Sequence, residues 1–223
     1  MSDWTGKSAD HMGGWRRVWW TSIMTFTTAH MSVSLDGFVA GPDQSVADPI
    51  GRGGMALHQW HQHVTNDVDA RWTESLMRPR GAYVMGRNMF GPVRGEWSTT
   101  EEWRGWWGDE PPYHAPVFVL THHDQPPLTM SGGTTFHFVT DGLKRALELA
   151  RQSGDGDVDI AGGASTVRQA LLAGELDELS LDIAPVLLGS GERIFDERMQ
   201  AQLELVESEG SPHVTHVRYR LRS

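Results

Sequence analysis

Three short apolar runs in this chain each stop at a glycine or hydroxyl residue that opens a turn, and that repetition limits the fold more than any other feature. Residues 82–85 (AYVM) run into Gly86-Arg87, Pro116–Leu120 (PVFVL) into Thr121-His122, and residues 158–161 (VDIA) into Gly162-Gly163 and a helical segment. Runs of this length with little polar alternation read as strands buried on both faces. Such strands need helices on either side, so the pattern predicts an α/β sheet with helices on both faces.

The rest of the chain fits that frame. Residues 25–35 (TFTTAHMSVSL) read as a strand ending at the turn dipeptide Asp36-Gly37, followed by a Gly/Pro/Asp loop over 41–54. Residues 55–77 have helical spacing in two pieces, with Asn66 or Asp67 as the cap of the second. A short helix opens at Arg87 and stops at Pro92, and 93–115 form a long aromatic and acidic loop. A strand at 136–139 precedes a helix that Asp141 should cap, with Leu143, Ala146, Leu147 and Ala150 as its apolar face. A further helix runs to Leu172, and 176–188 read as one long strand or a bent pair. Residues 203–208 and 214–221 form a closing antiparallel hairpin. The expected architecture is three layers, α/β/α, with a mixed, mostly parallel central sheet, in one domain over 25–223. Residues 1–24 are expected to be a loosely ordered extension.

Composition removes several chemistries. There is no cysteine, so disulfides, thiolate metal centres and a thiol nucleophile are out. The net charge of −10 argues against a nucleic-acid partner. No apolar run approaches the roughly 20 residues of a membrane span, and 1–24 make a poor signal peptide, so the expectation is a cytoplasmic protein with no membrane partner. Neither GxGxxG nor GxxxxGK[ST] occurs. His58, His61 and His63 are read as solvated helix histidines and not as a metal site, because 63 falls on the face opposite 58.

Ligands of open α/β sheets bind at the carboxyl ends of the strands, where helix N-termini point outward. Here those ends carry Gly86 and Arg87, then Thr121, then Gly162, Gly163, Ala164, Ser165 and Thr166. Glycines let a backbone approach a phosphate, an arginine pairs with it, and hydroxyls add hydrogen bonds.

The ordered motifs MSVSLDGFVAG, VMGR, VFVLT, IAGGAS and LDELSLDIAPVLLGSG resemble the dihydrofolate-reductase-like superfamily, and within it the RibD C-terminal branch of riboflavin-biosynthesis reductases. The resemblance covers about residues 25–195. It implies the dihydrofolate-reductase-like fold, hydride transfer from NADPH to a small-molecule substrate, and a homodimer. It assigns Gly86, Arg87 and Thr121 to the adenosine-phosphate end of the cofactor and Gly162–Thr166 to the pyrophosphate, with Gly162-Gly163 a cis peptide. Ser34, Leu35, Asp36 and Gly37 border the nicotinamide and substrate, and Leu187, Leu188 and Gly189 close the pocket. Where the family often has arginine after the strand-end hydroxyl, this chain has His122 and His123, so NADH stays open beside NADPH. The substrate-contacting stretch of the riboflavin reductases is replaced by residues 88–92 (NMFGP) and a tryptophan-rich loop.

Asp36 is the candidate catalytic proton donor, with a turn-capping role as its alternative. Trp103 and Trp106 are candidate pocket walls beside Leu35 and Leu187, against simple packing or a dimer contact, because long loops in compact domains carry function. Two functions follow: a nicotinamide-dependent reductase of a small heterocycle or carbonyl/imine, including the riboflavin pathway's aminopyrimidine, or a non-catalytic nucleotide-binding protein on the same fold.

Overall fold

The computed structural model describes residues 25–62, 64–91, 95–97, 103–196 and 199–222. Its elements in chain order are β1 (Thr27–Ser34), β2 (Phe38–Ala40), a 3₁₀ turn (Gly54–His58), α1 (Gln59–Gln62), α2 (Asp67–Met77), β3 (Ala82–Gly86) and α3 (Arg87–Phe90). Then follow β4 (Pro116–Leu120), β5 (Leu128–Thr129), β6 (Thr135–Val139), α4 (Gly142–Ser153), β7 (Val158–Gly162) and α5 (Ala164–Ala173). The chain closes with β8 (Glu178–Ala184), β9 (Glu192–Arg193), β10 (Leu203–Gly210) and β11 (Thr215–Leu221). The expectation for residues 1–24 lies outside the described residues, as do His63, Pro92, Glu101 and Glu102.

Nine strands form one sheet in the order β10-β11-β8-β1-β7-β3-β4-β6-β5. From β8 to β6 all neighbours are parallel; β11 runs antiparallel to β8, β10 to β11 and β5 to β6. This is the mixed, mostly parallel sheet with a terminal hairpin that the sequence predicts. Ala146, Leu147 and Ala150 of α4 and Val167 and Ala170 of α5 are buried in one apolar cluster with Ala29, Val33, Val84, Ile160 and Leu179 of the sheet.

At β1, β8 and β11 the two sides of the sheet are chemically opposite. Register puts Ala29, Val33, Leu179, Leu181 and Val217 in that apolar cluster. The alternate residues of the same strands face α2: Thr28, His30 and Ser32 on β1, Ser180 and Asp182 on β8, His216 and Arg218 on β11. Two tryptophans span this polar layer. Trp72 of α2 stacks on His216 at 4.8 Å between ring centroids, and Trp60 of α1 meets the same ring edge-on. The His216 ring lies between two carboxylates, with Nδ1 at 2.7 Å from Asp182 Oδ1 and Nε2 at 3.1 Å from Asp69 Oδ1. His30 Nε2 is 2.8 Å from the other Asp182 oxygen. Burial pushes both carboxyls up, but hydrogen bonds and the histidine contacts outweigh it and hold Asp69 and Asp182 below the usual carboxylate range.

Local details refine the expectations. Asn66 caps α2, its side chain accepting from Asp69 N at 2.9 Å. Asp141 precedes α4 but makes no side-chain cap, because its backbone (φ −87°, ψ 14°) is not the extended form that turns a cap oxygen back on the helix. The strand expected over 176–188 is only Glu178–Ala184, since Pro185 has no N–H for the ladder. The two-residue strands β5 and β9 and the three-residue β2 are too short to show a period. His58 and His61 are not solvated as expected: their rings meet at 3.2 Å, and burial, with His61 adding to it, lowers His58 to about 4.

Candidate functional site

The carboxyl ends of β8, β1, β7, β3 and β4 lie side by side in that order. The residues predicted at those ends therefore form one continuous rim.

At the β1 end, Ser34 and Asp36 are structural partners. Ser34 Oγ donates to Asp36 Oδ1 at 2.6 Å and accepts from Phe38 N at 2.8 Å. Asp36 also accepts from Leu188 N at 3.1 Å and Gly189 N at 2.7 Å. The Ser34 hydroxyl bond, helped by the backbone bonds from Gly189 and Leu188, lowers the Asp36 carboxyl to about 2 against the opposing effect of burial. It is thus an ionised acceptor at neutral pH. Its geometry is that of a clamp between the loop after β1 and the loop after β8, which matches the turn-capping alternative and not a proton donor. Leu35 N donates to Val186 O at 2.9 Å across the same junction. Leu35 and Leu187 are 67% and 72% exposed there, two apolar side chains at one junction.

At the β7 end, the Gly162-Gly163 peptide is cis. A Cβ on Gly163 would meet nothing within 4 Å, so the backbone there is open to a ligand. α5 starts next, with Gly163 O accepting from Thr166 N and Val167 N. Ser165 is exposed, and its hydroxyl accepts from Gln169 Nε2 at 3.3 Å. Thr166 is buried and turns toward β3: a Cβ on Gly86 would lie 2.7 Å from its Oγ1. Only glycine at 86 allows α5 and the β3 end this close.

At the β3 and β4 ends, Arg87 Nη1 donates to Thr121 Oγ1 at 3.3 Å. The Thr121 hydroxyl also accepts from His123 N at 3.1 Å. Arg87 Nε and Nη2 are buried and have no hydrogen-bond partner among the described residues. Burial alone pulls its pKa down from the ordinary arginine value. An arginine that faces no carboxylate among the described residues, with Nε and Nη2 unused, is set to receive an anion.

Trp97 is the site residue that the sequence analysis did not single out. Its ring carries the Arg87 guanidinium at 3.4 Å from the centroid, and its Nε1 donates to His123 O at 2.8 Å. Only the cluster of tryptophans pointed to it. Trp103 and Trp106 stand elsewhere. Trp103 Nε1 donates to Phe90 O at 2.8 Å, Trp106 Nε1 reaches Asn88 O at 3.5 Å, and the two rings meet edge-on at 4.8 Å. Both hold the loop onto α3, and Trp103 joins the apolar cluster of Met85, Phe90, Val119 and Phe136. Leu35 and Leu187 belong to the β1 and β8 ends, with β7 between them and β3, so the four pocket candidates fall into two places.

Comparison with known proteins follows this geometry. A family model for the RibD C-terminal domain matches residues 25–217. A candidate riboflavin biosynthesis protein from Shewanella sp. PV-4 superposes with a TM-score of 0.62 at 21% identity, over 89% of this chain and 100% of that one. A diaminohydroxyphosphoribosylaminopyrimidine deaminase/5-amino-6-(5-phosphoribosylamino)uracil reductase from Thermotoga maritima gives 0.55 at 14%, over 89% of this chain and 57% of that one. Dihydrofolate reductase from Enterococcus faecalis, complexed with NADP(H), gives 0.53 at 13%, over 89% and 97%. A search of curated proteins found no significant match.

Proposed function

Because this chain belongs to the RibD C-terminal domain family, and so to the oxidoreductases, we propose that it is an NADPH-dependent reductase of a small heterocycle or a carbonyl/imine. The observation that carries the reading is Arg87, with two buried N–H groups lacking a partner among the described residues at a strand end. A nucleotide phosphate would satisfy them. Gly86 and Thr121 flank that position. Gly162, Gly163, Ala164, Ser165 and Thr166 would back the pyrophosphate, with the open face of Gly163 and the start of α5 toward it.

When bound, NADPH supplies the hydride. The chain's own part is to bind, orient and exclude water. Arg87 offsets phosphate charge, and Trp97 holds the guanidinium flat. Leu35 and Leu187 give an apolar border for a ring. Asp36, with Ser34, ties the two loops that carry those leucines, and in this reading the proton reaches the substrate from water. Trp103 and Trp106 support the Arg87 helix. NADH is the alternative donor, since His122 and His123 offer no fixed charge for a 2′-phosphate.

The direct test is titration with NADPH and NADH, following tryptophan fluorescence, because Trp97 stacks on the Arg87 guanidinium that would take the phosphate. Saturable quenching supports the reading; no binding of either at millimolar concentration ends it. The first substrate to assay is 5-amino-6-(5-phosphoribosylamino)uracil, then pterins and simple carbonyls. One observation favours the non-catalytic alternative: Asp36, already accepting three hydrogen bonds, has no proton to give. NADPH binding with no oxidation across these substrates would select it. The reading also carries a cytoplasmic location, checked by cell fractionation, and a homodimer, checked by sedimentation. The open edge of β10, with Leu205 and Val206 exposed, supports the homodimer.

A further inference from the structure

The polar side of the sheet does not close completely under α2. Between the last turn of that helix and the strands lies a hollow of about 230 Å³. Its walls carry three guanidinium groups, Arg78, Arg80 and Arg218, against two carboxylates, Asp159 and Glu178. Arg78 also pairs with Asp157 at 2.9 Å, outside this lining. The remaining polar walls are hydroxyls, among them Ser75, Ser180 and Thr28.

Arg80 is the decisive group. Its side chain is only 5% exposed. Nη1 donates to Arg78 O at 3.3 Å and Nη2 to Ser75 O at 3.4 Å, which fixes the guanidinium at the C-terminal end of α2. Nε is left buried with no hydrogen-bond partner among the described residues. The nearest carboxylate oxygen, Asp159 Oδ1, stands 3.6 Å away and already accepts from Thr28 Oγ1 at 2.7 Å. Arg218 reaches Ser75 Oγ at 3.1 Å and Ser180 Oγ at 3.4 Å, and also pairs with Glu207 at 3.0 Å. Both hydroxyls can turn to receive or donate. A buried N–H without an acceptor is costly, and an oxygen-rich ligand removes that cost.

We propose that this hollow binds a small oxyanion of phosphate or carboxylate size, gripped by Arg80 and Arg218 and hydrogen-bonded by Ser75 and Ser180. The volume exceeds the ~30 Å³ of one liquid water several-fold, enough for such an ion with part of its hydration. The site is distinct from the nucleotide rim. Thr28, Asp159 and Glu178 stand at the first or second residue of their strands, whereas Arg87, Thr121 and Gly163 follow strand ends. On β7, which carries a residue of each, Asp159 and Gly163 stand four residues apart, about 13 Å along the strand.

The experiment uses the full chain carrying Arg87→Ala, so that the nucleotide rim cannot report. Sodium phosphate, sulfate and acetate are titrated by calorimetry at ionic strength matched with chloride, with thermal melts alongside. The expected result is saturable binding of at least one of the three with a raised Tm. Phosphate or sulfate alone identifies a tetrahedral ligand, and acetate alone a carboxylate. Arg218→Gln should weaken the binding about tenfold. Ser75→Met, which fills the hollow from the helix side and leaves every arginine in place, should abolish it, with an unchanged circular dichroism spectrum. Heats indistinguishable from chloride for all three anions up to about 20 mM would overturn the proposal. So would binding that neither substitution changes.

Discussion

His216→Leu tests the polar layer under α2 most directly. His216 is fully buried, and each ring nitrogen faces a carboxylate oxygen, at 2.7 Å and 3.1 Å. An ionised carboxylate can only accept, so the ring is what each of these oxygens has to draw a proton donor from. Leucine fills a similar volume but supplies no donor. Asp69 would keep Asn66, at 2.7 Å and 2.9 Å, and Asp182 would keep His30 at 2.8 Å. The ring contacts that bind α2 to β8 and β11 would be gone. Removing one member of a buried ionic set costs about 3–5 kcal/mol. With a urea m-value of about 2–3 kcal/mol/M, the unfolding midpoint should fall by roughly 1–2 M. The assay is urea unfolding at neutral pH, followed by tryptophan fluorescence, since Trp60 and Trp72 touch the lost ring. Asp182→Asn is the control: in that background the same leucine substitution should cost visibly less, because its charge partner is already neutral. A midpoint within about 0.2 M of the parent, or equal costs in both backgrounds, would refute a charged network.

Three further outcomes are expected. His58, lowered to about 4 by burial, is neutral in the fold and charges readily once unfolded. Its contribution is complete above about pH 6.5 and is lost as pH falls toward 4, up to about 3 kcal/mol; His58→Gln should flatten urea midpoints over that range, and an unchanged slope would contradict it. Gly86→Ala should cost about 1–3 kcal/mol through its 2.7 Å approach to Thr166 Oγ1, and adding Thr166→Ala should restore most of the loss in thermal melts; a Gly86→Ala protein as stable as the parent counts against that contact. Asp36→Asn replaces an acceptor with a donor facing Leu188 N, Gly189 N or Ser34, so limited proteolysis or hydrogen exchange over 185–191 should speed up, and equal protection would argue against the clamp. Its folded pKa of about 2 also means that the wild-type clamp is complete above about pH 4 and weakens as pH falls toward 2.

The inner strands β3, β4 and β7 were legible because each is a short, mostly apolar run bounded by a glycine, proline or polar residue, and Pro116–Leu120 coincides with β4 residue for residue. The face of α4 was legible for the same reason: Leu143, Ala146, Leu147 and Ala150 recur at helical spacing and are all buried. The rim was legible as glycines, Arg87 and Thr121 at strand ends. Trp97 was not, because its contact with Arg87 crosses an irregular loop that no period describes. Nor was the His30–Asp182–His216–Asp69 set, whose members lie on three strands and a helix far apart in sequence. On β1, β8 and β11 a polar residue at every second position normally signals a face turned to water. Here it faces a helix, and only the fold reveals that.

That buried polar face gives the two sides of the sheet at β1, β8 and β11 different weaknesses. The α4 and α5 side is held by apolar area, whose grip loosens on cooling and in urea. The α2 side is held by aimed hydrogen bonds and ionised groups, which cooling leaves largely intact and acid removes. Acidification should therefore lift α1 and α2 away while the sheet and its opposite helices persist, leaving Trp60 and Trp72 in water and the nucleotide rim still assembled on the far edge.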